Sequence, residues 1–337
     1  MYEIYLKNGK IMSKSKNINV VTIGGGNGSY GLLSSIRDND DYNISAIISM
    51  SDSGGSTGIL REEFNMLPPG DVRRAIMALS REHEIVKQLF DYRYDKGCSV
   101  GGHNLGNLII TAMSQITGNF DKGLKQVAKM FKVKGRVIPV TLELSHLNVE
   151  LQDGNIVEGE TNIDLKLDET SSPIKTAYLT PEVNANPKAV SALEKADYIL
   201  LSFGDLYTSV IPNLLVKGIK EAIVKNKKAK VVYFCNLMTK PGETTDFEAI
   251  DFIDTIEKYL GVGVIDYFVV NNGYISEKLA DKYKSLEKKK PVKVKSHDVF
   301  EGKKYEVIEA DLLHENTFVR HSYDKIGQVI KDIIKKN

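Results

Sequence analysis

Val20-Val21-Thr22-Ile23-Gly24-Gly25-Gly26-Asn27-Gly28-Ser29-Tyr30-Gly31 is the stretch whose reading decides the fold. Four strand-forming apolar or β-branched residues run into a glycine turn, and helical periodicity begins at Tyr30. Gly26, Gly28 and Gly31 satisfy G-x-G-x-x-G directly after a strand and at the opening of a helix. Such a turn brings backbone N–H groups and the positive end of a helix dipole close to a phosphate. The plainer alternative is a glycine-rich turn that only joins strand to helix, although five glycines between 24 and 31 are costly to order.

Working outward, apolar runs rich in Ile and Val recur at 44–50, 198–202, 231–235 and 265–270. Helical periodicity lies between them, at 30–37, 71–81, 187–195, 212–224 and 247–259, with Pro-containing start signals at Pro69-Gly70-Asp71 and Asn186-Pro187. Strand alternating with helix predicts an α/β protein: a three-layer Rossmann-like core with a mainly parallel sheet. Residues 135–177 read differently, as antiparallel strands with a hairpin turning at Gln152-Asp153-Gly154-Asn155, and form an excursion from that core. Past Lys278 come the run Lys288-Lys289-Lys290, two strand-like segments at 291–295 and 305–309, and a closing helix at 322–335. The expected organisation is one domain over 1–337. Its parts are an N-terminal half of the core at 18–134, the excursion at 135–180 and a C-terminal half at 181–337.

The 337 residues exceed the roughly 250–300 that one core usually holds, which suits a core with additions. With 45 Lys+Arg against 44 Asp+Glu, the chain has no broad field to gather nucleic acid or an anionic membrane. A small anion must therefore be held by a local site, and the lysine run reads as a solvated surface turn. Cys98 and Cys235 are too few for a disulfide framework. The first sixteen residues mix lysines with short apolar runs and show neither a secretion nor a membrane-span pattern, so the expectation is a cytoplasmic protein.

Further polar loops follow the strands. Ser51-Asp52-Ser53-Gly54-Gly55-Ser56-Thr57-Gly58 reads as a second anion cradle. Asp52 could orient a ribose hydroxyl, as about 20 residues after a dinucleotide loop would allow, hold a metal ion, or simply form an Asx turn. Asp71 caps a helix whose first turn presents Arg73, a fork suited to phosphate, and Arg61 stands just upstream. Arg74 reads as a surface salt-bridge partner. His103, in Gly102-His103-Asn104-Leu105-Gly106-Asn107, is either a proton or phosphate group or a hydrogen-bonded structural histidine. Gly204, Asp205 and Tyr207 follow the strand at 198–202, Asn236 and Lys240 follow 231–235, and Asn271 ends 265–270.

Six of these segments in one order resemble the YvcK-type gluconeogenesis factors, relatives of the 2-phospho-L-lactate transferases (CofD). They are Gly24-Gly25-Gly26-x-Gly28, Asp52-x-Gly54-Gly55-Ser56-x-Gly58-x-Leu60-Arg61, Leu67-Pro68-Pro69-Gly70-Asp71, Gly102-His103-x-Leu105-Gly106-Asn107, Leu206-Tyr207-Thr208-Ser209-x-Ile211-Pro212-Asn213, and Asn236-Leu237-Met238-Thr239-x-Pro241-Gly242-Glu243-Thr244. The resemblance implies a nucleotide- or UDP-sugar-binding regulatory factor, needed for growth on gluconeogenic carbon and for cell shape. As its alternative it implies a magnesium-dependent enzyme moving a phospholactyl group from a nucleotide diphosphate to a deazaflavin alcohol. The first loop alone would also allow an NAD-dependent dehydrogenase, a reading the second glycine loop opposes.

On that resemblance, Gly24, Gly25, Gly26, Asn27, Gly28, Ser53, Gly54, Gly55, Ser56, Arg61, Asp71 and Arg73 are expected to hold the nucleotide. So are His103, Asn104, Asn107, Gly204, Asp205, Tyr207, Asn236, Lys240 and Asn271. Asp52 is the expected metal and catalytic position, Mg²⁺ and a bound UDP-sugar or NAD(P) the implied small ligands, and a homo-oligomer is compatible. Three departures stand out. Ser53 follows Asp52 where relatives commonly pair two acids, Ser202-Phe203-Gly204 replaces Gly-Pro-Gly, and Lys240 stands where many have glutamine.

Overall fold

In the computed structural model, which describes residues 4–7, 10–13, 17–294, 297–314 and 318–337, the apolar runs become parallel strands. A hairpin of β1 (Ile4–Lys7) and β2 (Lys10–Ser13) comes first. β3 (Ile18–Gly24), β4 (Tyr42–Ile48) and β5 (Arg136–Pro139) then form half of the main sheet. The excursion supplies β6 (His146–Leu151), β7 (Ile156–Glu158) and β8 (Ile174–Thr180), and the chain returns through β9 (Tyr198–Leu201), β10 (Lys230–Phe234), β11 (Tyr267–Asn271) and β12 (Glu306–Ala310).

The main sheet has seven strands in the order β12-β11-β10-β9-β3-β4-β5, every neighbouring pair parallel. All four residues of β9 and the last five of β3 are buried, so both faces of the sheet's centre are covered and the layers are three. β3 lies one strand from the middle. From it the chain builds outward through β4 and β5, then crosses back to start β9 on the other side. This reversal leaves a crevice beyond the carboxyl ends of β3 and β9, where open α/β sheets hold ligands.

The excursion is antiparallel as expected, with order β7-β6-β8 and the hairpin register Val149↔Val157. Its alternating residues Leu147, Val149 and Leu151 are buried and join the same hydrophobic cluster as the core. The Tyr259 hydroxyl, from the helix Ala249–Leu260, accepts a hydrogen bond from the Ala177 amide at 2.8 Å and ties the excursion down.

Three local expectations need correction. Residues 136–139 belong to the parallel sheet as its edge strand, so the antiparallel part begins at His146 and not at 135. The helix read at 212–224 is two helices, Ile211–Leu214 and Ile219–Lys225. Between them Lys217 exchanges backbone hydrogen bonds with Val183 and Ala185, and Gly218 turns the chain at φ +99°. The strand read at 291–295 is only a bridge between Pro291 and Met238, and Lys295 lies outside the described residues. The closing helix is present as Tyr323–Lys336, capped by Ser322. Among the described residues no helix is long and apolar enough to cross a membrane.

Candidate functional site at the switch point

Close approach of loops explains the glycines at the end of β3. A Cβ on Gly24 would lie 2.0 Å from Ser202 Oγ, and one on Gly28 would lie 2.1 Å from the Gly204 nitrogen. Gly26 sits at φ +58°, the left-handed region that lets the helix Gly26–Ile36 start abruptly. Beyond these loops lies a cleft of about 550 Å³. Three helices open into it without a side-chain cap: Gly26–Ile36, Gly55–Glu63 and Gly70–Leu79. N–H groups and aligned dipoles at those ends favour negative charge, and at the first of them the Gly26 amide already meets the Asp71 carboxylate.

Side chains add both signs. Arg73, Arg74 and Arg93 line the cleft together with Asp52, Asp71, Glu160 and Asp164. Asp52 Oδ1 accepts the Gly54 amide at 3.0 Å, an Asx turn that leaves the residue facing the cleft. Asp71 is buried, and Arg74 Nη1 approaches it at 3.3 Å. Burial, then the nearby Asp52 charge, pushes the Asp71 carboxyl up to about 6 and the Glu160 carboxyl up to about 7. Carboxylates crowded this way beside three helix starts are a donor set that a divalent cation would relieve. Mg²⁺ commonly takes only one or two carboxylates beside phosphate and water oxygens. The position that Ser53 leaves without an acid is compensated in space, because Ser53 N donates to Glu160 Oε2 at 3.2 Å.

A second compartment of about 610 Å³ adjoins the first across Asn27, Gly28, Phe203 and Asp205. It is lined by Tyr30, Phe203, Tyr283, Phe318, His321 and Tyr323. Phe203 stacks on His321 with ring centroids 3.7 Å apart, and burial drives that imidazole down to about 3, so it stays neutral. Asn236 Nδ2 donates to the carbonyls of Phe203 and Gly204 at 3.2 and 3.0 Å and fixes the loop between the compartments.

At the same border Lys240 reaches into three carboxylates from three different elements: Asp164, Asp205 at 2.8 Å and Glu243 at 2.7 Å. Burial pulls its ammonium down, but those charges more than offset this and raise it, so it stays a cation. Among the described residues these three acids are the group that brings one oxygen each within 4.8 Å of the others, and the Lys240 ammonium already pairs with all three.

The loops read from sequence therefore converge. Gly26, Asn27, Gly28, Asp52, Gly54, Gly55, Ser56, Asp71, Arg73, Asn107, Gly204 and Asp205 line the first compartment, and Asn236 and Lys240 the second. Other expected residues do not line either. Arg61 is buried and donates to the Ser145 carbonyl. Asn104 caps the helix Leu105–Thr117, and His103 Nδ1 pairs with Ser56 Oγ at 3.1 Å. Tyr207 is buried with its amide on Glu243, Asn271 Oδ1 accepts the Gly273 and Leu312 amides, and Gly24, Gly25 and Ser53 act by packing or turn geometry. Sequence reading missed Arg93, Glu160, Thr161 and Asp164, the aromatics of the closing segment, and Lys289, which belongs to the run read as a solvated turn but lines both compartments. Arg74 does make the expected salt bridge yet also faces the cleft.

The profile of the 2-phospho-L-lactate transferase CofD family matches residues 20–313. The chain is 38% identical over 317 residues to a gluconeogenesis factor of Halalkalibacterium halodurans, covering 94% of this chain and 96% of that one. It is 37% identical over 321 residues to a gluconeogenesis factor of Bacillus subtilis, covering 94% and 98%. The crystal structure of a Bacillus halodurans protein superposes with a TM-score of 0.88 at 38% identity, over 94% of this chain and all of that one.

Proposed function

This chain belongs to the CofD family, within its gluconeogenesis-factor branch, and on that premise we propose that its cleft binds a nucleoside diphosphate, a UDP-sugar above all. The observation that carries this is the convergence of three uncapped helix starts and the arginines Arg73 and Arg74 on one compartment, beside a second lined by aromatic rings. The diphosphate occupies the first compartment, and the base lies among Phe203, Tyr30 and Tyr323 in the second. Asp52 and Asp71 would hold a magnesium ion, whose charge would neutralise the phosphates. Binding makes the protein a cytoplasmic regulatory factor for growth on gluconeogenic carbon and for cell shape, the former role being named for its relatives. Calorimetric titration with UDP-N-acetylglucosamine, NAD(P) and GDP in magnesium tests the reading. Micromolar binding of one of them is expected, and absence of heat at millimolar ligand overturns it.

A second reading rests on the raised carboxyls. With Asp71 or Glu160 near neutrality, one carboxylate could take the proton of an attacking hydroxyl while the phosphorus–oxygen bond to nucleoside monophosphate breaks. The protein would then transfer a phospholactyl group to a deazaflavin alcohol. Incubating those substrates with magnesium should release nucleoside monophosphate, and no release removes this activity while leaving binding untouched.

A further inference from the structure

Sharing no lining residue with either compartment, a cavity of about 460 Å³ lies between the helix Phe120–Met130 and the sheet's edge strand β5. Its apolar wall is Ala128, Val133, Val137 and Ile138. Its charged wall is Lys125, Lys129, Lys132, Arg136 and Lys188, with Asp121 as the one acid. Lys188 is committed to Asp121, Lys132 to Glu82 at 2.8 Å, and Arg136 donates to Ser45 Oγ at 2.9 Å. The side chains of Lys125 and Lys129 have no ion pair or hydrogen bond among the described residues. Lys125, Ala128 and Lys129 share one helix face by their spacing of three and four, so two unpaired cations stand directly over an apolar patch.

We propose that this cavity binds a small organic anion with an apolar body, its carboxylate, phosphate or sulfonate held by Lys125 and Lys129. The volume suits a compact ligand of drug size. Addition of a peptide strand is disfavoured by the edge itself. β5 is four residues long and ends in Pro139, whose carbonyl already accepts Asn186 Nδ2 at 3.1 Å. The excess of cations is local and invisible in a net charge of +1.

The test is fluorescence titration of the full chain with 8-anilinonaphthalene-1-sulfonate, competed by decanoate. One saturable site is expected, with affinity reduced about tenfold or more in Lys125→Glu/Lys129→Glu and in the cavity-filling Ala128→Trp. Uncharged N-phenyl-1-naphthylamine should bind correspondingly worse. Excess UDP-N-acetylglucosamine should leave the titration unchanged, which separates this site from the nucleotide cleft. Wild-type affinity in both variants, or displacement by the nucleotide sugar, overturns the proposal. So does tighter occupancy by a glutamate decapeptide, which would assign the groove to a protein partner. Lys125 and Lys129 are exposed and unpaired, so the double variant should fold; if it does not, Ala128→Trp gives the answer alone.

Discussion

Lys240 Nζ lies 2.7 Å from Glu243 Oε1, and the Glu243 side chain is wholly buried. Asp205 from the loop after β9 and Asp164 from the excursion helix Glu160–Lys166 close around the same ammonium. Removing one partner of a buried pair leaves uncompensated charge and costs about 3–5 kcal/mol. Lys240→Ala should therefore lose stability of that order in urea unfolding. Amide exchange should accelerate in 160–166, because the excursion loses its anchor to the core. A loss below about 1 kcal/mol, within the range of an exposed pair, would show that the cage is a surface contact.

Lys240 also shows what a sequence can and cannot carry. The parallel core is readable because each strand is a short Ile/Val run bounded by glycine and polar loops, and the close approach of those loops because glycine spacing follows from steric need at turns. The cage is not, since only Lys240 and Glu243 are close in sequence, while Asp205 joins them from the loop after the neighbouring strand β9 and Asp164 from the excursion. Glu160 was hidden for the same reason. Arg61, expected at the nucleotide, is buried against the Ser145 carbonyl, an environment that a string of letters does not register. The helix break at 215–218 arises from pairing with 183–185, a long-range contact that local periodicity does not register.

Gly28 tests whether the first loop's glycines serve packing as well as ligand. A methyl there would sit 2.1 Å from the Gly204 nitrogen and 2.6 Å from the Phe203 carbonyl carbon, so backbone must move. Overpacking of this kind costs about 1–3 kcal/mol. Gly28→Ala should lower the melting temperature and weaken nucleotide binding together. Gly55→Ala, at φ +46° with open space around its Cβ, should cost less stability through strain alone. Equal losses at the two positions would refute the packing role.

Asp71 and Glu160 make stability depend on pH with a definite sign. Their carboxyls lie at about 6 and about 7 when folded, against values near 4 when unfolded. Between those limits the folded state binds more protons, so unfolding free energy falls as pH rises from about 4 to about 7. Each rise amounts to on the order of 2–3 kcal/mol, reduced by solvent screening at the more accessible Glu160. Glu160→Gln removes one titration, and the difference in unfolding free energy between variant and wild type should widen from pH 5 to pH 8. Magnesium should raise the wild-type melting temperature at pH 8 and hardly at pH 5. Parallel pH profiles for the two proteins would rule the assignment out.

The two adjacent arginines should separate binding from folding. Arg73 is 6% exposed in its side chain, pairs with Asp91 and packs its Cδ 2.8 Å from where a Cβ on Gly106 would stand. Arg74 is 40% exposed, and its contact with Asp71 at 3.3 Å is long enough to be exchanged for a phosphate. A bidentate guanidinium contact to phosphate is among the stronger charge-assisted interactions, and losing it costs roughly tenfold or more in affinity. Arg74→Ala should therefore weaken UDP-N-acetylglucosamine binding by that factor and leave the melting temperature within the small range typical of surface changes. Arg73→Ala should lower stability by about 1–3 kcal/mol through lost packing and lost charge pairing at the helix start. Calorimetry and urea unfolding on both variants distinguish the cases. If Arg74→Ala binds as wild type does, the phosphates lie elsewhere than at the start of the helix Gly70–Leu79.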